Sequence, residues 1–93
     1  MDKNNITVIF DVDDGKIRKD IEVPLDITAN ELIIGLNNAY DLGMDTDDIF
    51  PCYLKSENPI ALLKGNKTLR EFGLHNATLI FHKNRRNSGG QAI

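Results

Sequence analysis

The chain contains a single cysteine and no surplus of positive charge, and each shortage removes a class of function. With Cys52 alone, no internal disulfide forms, and a small domain without one fits a reducing compartment. Lys and Arg number 11 against 14 Asp and Glu, a net charge of −3, so there is no electrostatic basis for nucleic-acid binding across the whole domain. Six of the eleven basic residues (Lys64, Lys67, Arg70, Lys83, Arg85 and Arg86) fall in the last third, a mild asymmetry that reads as solvated surface. No apolar run approaches the ~20 residues that span a bilayer. The opening MDKNN is polar with no apolar stretch behind it, so no secretory signal is expected. The expectation is a cytoplasmic protein with no direct membrane insertion. No glycine-rich loop suited to phosphate is present.

What the chain does contain is alternation. At 93 residues it forms one domain, with 41% hydrophobic and 27% charged residues, ordinary for a globular protein. In ITVIFDV, Ile6, Val8, Phe10 and Val12 share one phase of a half-buried strand. DDGK follows, and Asp14-Gly15 is a hairpin signal because glycine takes a positive φ without steric penalty. Ile17, Ile21 and Val23 continue the alternation with Lys19 as its flaw, and Pro24 ends the strand.

A helix start is spelled at Thr28-Ala29-Asn30-Glu31, a capping box, with Ile27 and Leu32 as its hydrophobic staple. Ala29, Leu32, Ile33, Leu36, Ala39 and Tyr40 form one apolar stripe over roughly four turns, and Gly43 is the expected left-handed stop. An acidic connector, MDTDDIFP, leads to two short strands, CYLKS and IALLKG, around a turn at Asn58-Pro59. TLREFGL reads as a short helical turn that inserts Leu69, Phe72 and Leu74 into the core. TLIFHK is the last strand, with Leu79 and Phe81 assigned inward and Ile80 and His82 outward. The order predicts an α+β fold of the β-grasp type, a mixed sheet of four to five strands with one main helix packed across it. The first and last strands are its parallel central neighbours. The domain is assigned to residues 1–83, and 84–93 to a flexible polar tail.

Nothing in the pattern assembles a catalytic set, a metal site or a cofactor site. Asp11, Asp13 and Asp14 resemble the start of a calcium loop, but the glycine falls one place early and the acids stop. A solvated hairpin tip is the simpler reading. Asp41, Asp45, Asp47 and Asp48 read as a solvated loop, with contact to a cation or basic partner as the alternative. Cys52 shares the inward phase of Leu54, which favours a buried thiol over a nucleophile paired with His75 or His82. The outward residues Ile9, Tyr53, Ile80 and His82 define a modest amphipathic face for protein docking, with Ile34 on the far side of the helix a weaker candidate.

The passages DIEVPLDITANELI and TLREFGLHNATLIF resemble the ubiquitin superfamily over residues 6 to 83. Within it the chain is most similar to the YukD/EsaB group of stand-alone bacterial proteins, through VPLDITANELIIGLNNAYDLGMD and LLKGNKTLREFGLHNATLIF. That resemblance implies a non-enzymatic accessory subunit of a type VII (ESX-type) secretion system, monomeric or weakly dimeric, with secretion-machinery proteins as partners. Matching strands to ubiquitin places Lys55, Ile80 and His82 near its apolar recognition patch, with Asp13 or Asp14 at the hairpin tip, and such a face is expected to be too charged for a patch of that kind. The resemblance also raises a modifier or sulfur carrier. Gly89-Gly90 precedes Gln91-Ala92-Ile93, so Gly90 becomes a reactive terminus only after three residues are removed. A generic adaptor of the same fold is the third alternative.

Overall fold

The computed structural model describes residues 4–83. Its first two strands, β1 (Asn5–Val12) and β2 (Ile17–Pro24), pair antiparallel without a slip from Asn5 opposite Pro24 to Val12 opposite Ile17. The turn between them needs three successive left-handed residues, Asp13, Asp14 and Gly15, at φ 52°, 57° and 94°. Short acidic side chains and glycine are the residues that tolerate this. Asp11 secures the turn: its carboxylate accepts from the Gly15 N–H at 2.8 Å and from Arg18 at 2.7 Å. The residues that resembled a calcium loop are therefore a hairpin closure.

Helix α1 (Ala29–Tyr40) begins as the sequence spells it. The Glu31 N–H donates to the Thr28 hydroxyl at 3.1 Å, and the Thr28 N–H donates to the Glu31 carboxylate at 2.8 Å. Its end differs from expectation. Asp41, not Gly43, takes the first left-handed position, at φ 53°, so the helix is shorter than four full turns; Ala39, assigned to the apolar stripe, lies within it and is exposed. The early stop lets Asn37 clamp the connector, accepting from the Met44 N–H at 2.9 Å and donating to its carbonyl at 3.0 Å.

A single 3-10 turn (Thr46–Asp48) precedes β3 (Leu54–Glu57) and β4 (Ala61–Leu63). Short helix α2 (Leu69–Phe72) carries a second capping box that the sequence reading passed over, Thr68 with Glu71. The two helix starts then serve each other. Ala29 N–H donates to the Lys67 carbonyl, while Leu69 and Arg70 N–H donate to the Ile27 and Leu25 carbonyls, all within 3.0 Å. Donors that a helix start leaves unpaired are thereby satisfied. Arg70 ties this junction to the chain start through Asp26 at 2.8 Å and Asn4 at 2.9 Å.

Strand β5 (Leu79–His82) runs parallel to β1 and antiparallel to β3, giving the order β2-β1-β5-β3-β4. The main helix packs on one face, and Val8, Phe10, Ile33, Leu54, Leu63, Leu69 and Ile80 are at most 1% exposed between the layers. Each such large side chain contributes about 1.5–3 kcal/mol when fully buried. This is the predicted α+β β-grasp architecture.

The assignment of Ile80 to the outer face is corrected here: it is 0% exposed, opposite Phe10 on the helix side, and Leu79 and Phe81 face outward instead. Thr78 sets this phase. It too is 0% exposed, because its hydroxyl donates to the Asn58 carbonyl at 2.8 Å and accepts from the His75 N–H at 3.1 Å. A satisfied threonine can enter a core, and one residue of phase moves every following side chain to the opposite face.

Candidate functional site

On the sheet surface away from α1, the ladder sets Ile9 beside Leu79 and Phe81 between Asp11 and Lys55. Leu62 of β4 lies next to Lys55. Ile9, Leu79 and Phe81 are half-buried, and Leu62 is 49% exposed. Two of these, Leu79 and Phe81, replace Ile80 as the apolar centre, so the face is more apolar than the sequence reading allowed. No element among the described residues covers it. Of the expected docking residues, Ile9 and Lys55 lie on this face, and Tyr53 stands half-buried just before β3, on the Lys55 phase. Ile80 does not. His82 follows the Ile80 phase at the end of β5, half-buried and hydrogen-bonded to the Leu42 backbone.

Tyr53, Lys55, Leu79, Phe81 and His82 share the lining of one open groove. It extends from the outer face past the end of β5 to the connector, where Met44, Asp45, Asp48 and Cys52 contribute. Glu57 stands opposite Leu79 on β3, and Asp11 and Asp14 close the hairpin end. Here Arg18 holds Asp11 at 2.7 Å and Lys83 approaches Asp14 at 3.4 Å.

Cys52 and His82 reach the same groove, so their chemistry needs an answer. Burial pushes the Cys52 thiol up, and the nearby Asp45 and Asp48 carboxylates push it further, whereas a nucleophilic cysteine needs the opposite shift. Its S–H is directed to the Asp45 and Asp48 carbonyls at 3.6 and 3.7 Å, and no hydrogen bond joins it to a histidine. Burial also lowers the His82 pKa, partly opposed by Asp13 and by the Leu42 contact. Among the described residues no group of three or more His, Cys, Asp or Glu is placed to hold a metal ion. The Asp41 to Asp48 loop is therefore a charged wall without a built cation site. Gly89 and Gly90 lie outside the described residues.

Other apolar groups are exposed. Ile34 on α1 is 39% exposed; Phe50 and Ile60, near strand β4, are 80% and 89% exposed. Lys64 places its ammonium 5.1 Å from the Phe50 ring, and Lys67 does the same over Phe72 at 4.8 Å. No helix among the described residues is long and apolar enough to cross a membrane.

No family model matches the chain, and no curated protein matches it in sequence. Solved structures do match it in shape. The ubiquitin-like domain of tubulin-binding cofactor B superposes with a TM-score of 0.69 at 13% identity, covering 90% of this chain and 93% of that one. The C-terminal ubiquitin-like domain of mouse tubulin-specific chaperone e gives 0.68 at 11% identity, covering 86% of each chain. The ubiquitin-like domain of yeast Ddi1 gives 0.58 at 22% identity, over 86% of this chain and 91% of that one. At such identities the likeness shows fold alone. The fold is that of a ubiquitin-like β-grasp domain.

Proposed function

We propose that this domain is a non-enzymatic accessory component of a bacterial type VII secretion system, working in the cytoplasm by docking its outer sheet face onto a protein of that machinery. The observation that carries the docking step is the apolar row of Ile9, Leu79 and Phe81 at the centre of the sheet, which no element among the described residues covers. A buried, thiolate-disfavouring cysteine also speaks for binding over catalysis. The secretion assignment rests on the YukD/EsaB-like passages around α1 and from Leu62 to Phe81. In this reading the domain is residues 1–83, and Ile9, Tyr53, Lys55, Leu79 and Phe81 contact the partner.

The test pairs deletion with capture. Cells lacking the protein lose export of WXG-type substrates, and the tagged protein retains a component of the secretion machinery. Unchanged export together with capture free of any such component refutes the assignment.

A further inference from the structure

We propose that the outer-face groove takes a partner segment that is both apolar and cationic, one in which Lys or Arg side chains flank large apolar ones. This rests on the docking reading and names the chemistry of its partner. Tyr53, Leu79 and Phe81 supply an apolar floor. Asp45 and Asp48 rise on the connector side and Glu57 on the β3 side. Asp11 and Asp14 are already offset by Arg18 and Lys83, so among the described residues of the lining these three carboxylates face one further cation, Lys55. Negative charge around an apolar floor attracts an ammonium or guanidinium and repels an acidic partner, which provides selectivity as well as attraction.

A second, independent observation concerns the rings. Phe50 and Phe72 each carry a lysine of the same chain over their faces. The rings of Tyr53 and Phe81 have no such internal cation among the described residues, although both line the groove. A partner lysine or arginine can lay its methylene stem on these rings while its charged head reaches Asp48 or Glu57.

The experiment uses the full chain, isotopically labelled, titrated with two synthetic amphipathic probes of equal length, one of leucine and lysine and one of leucine and glutamate. The leucine–lysine probe shifts Tyr53, Leu79 and Phe81 resonances, and its binding weakens as salt rises from about 50 to about 300 mM, where screening shortens from well over 10 Å to under 10 Å. The leucine–glutamate probe leaves them unmoved. Asp48→Lys combined with Glu57→Lys, both at exposed positions, weakens the first probe about tenfold or more. Equal binding of both probes, or indifference to the double charge reversal, overturns the inference. So do shifts of the same resonances with protein concentration alone, which identify a second copy as occupant, or on removal of residues 84–93, which identify the chain's own segment. A secretion component that binds the face without salt dependence and tolerates the charge reversal leaves the docking reading standing and removes only the cationic preference.

Discussion

Leu79→Ala and Ile80→Ala delete equal numbers of carbons from adjacent residues of β5, so any difference between them reports burial. Ile80 is 0% exposed against Phe10 and the α1 layer, and its truncation removes both transfer free energy and packing, about 2–5 kcal/mol. Leu79 lies half-buried on the uncovered face beside Ile9 and Glu57, where a cross-strand contact contributes about 1 kcal/mol or less. A 93-residue domain has roughly 5–14 kcal/mol of stability in all, so the first variant loses a large share and the second keeps most of it. In thermal unfolding at ~4–8 °C per kcal/mol, Ile80→Ala falls by at least ~8 °C and Leu79→Ala by ~8 °C at most. Urea titration with an unchanged slope confirms that stability, not the unfolded state, has moved. If Leu79→Ala proves the costlier change, β5 presents its other face to the helix and the docking surface described here is wrong.

Four further outcomes follow from the same contacts. Thr28→Ala and Thr68→Ala each cost about 1 kcal/mol in urea denaturation, since each removes the side-chain acceptor of a capping box. Lowering pH destabilises the fold through Asp26, held below its ordinary value of 3.8 mainly by Arg70, and Glu71, held below 4.5 by Thr68. Their stabilisation is present above those ordinary values and is lost as pH falls through the lower folded ones, so Asp26→Asn flattens the acid limb of a stability profile. Burial holds Cys52 above its ordinary 9.0, so its contribution is present below that pH and fades above it; a thiol reagent reacts slowly until denaturant is added. His82 titrates below 6.5 by NMR because burial outweighs Asp13, and its stabilisation is present above 6.5 and lost as pH falls through the folded value.

Most of the architecture was legible because local chemistry and global pattern agreed. The capping box at Thr28 and the hairpin around Asp14-Gly15 both announce themselves within a few residues, and the alternation of Ile6 to Val12 sets the inner face of β1. The site was less legible. Leu79, Ile80 and Phe81 are three consecutive apolar residues, so alternation is silent about which of them faces the helix. The deciding residue was Thr78, a polar side chain whose burial depends on the Asn58 carbonyl twenty positions earlier. Ser56 repeats the lesson: it is 2% exposed because its hydroxyl donates to the Pro59 carbonyl at 2.7 Å. The helix end was misplaced for a related reason, since Asp41 can take a left-handed conformation that is usually credited to glycine.

The most direct test of the proposed docking is to titrate the labelled protein with purified cytosolic domains of a type VII secretion machinery, the proposed partner, and map the perturbed residues. The account predicts shifts concentrated at Ile9, Tyr53, Lys55, Leu79 and Phe81, with the α1 surface around Ile34 silent. Shifts centred on Ile34, or a spectrum that no component alters, contradict it.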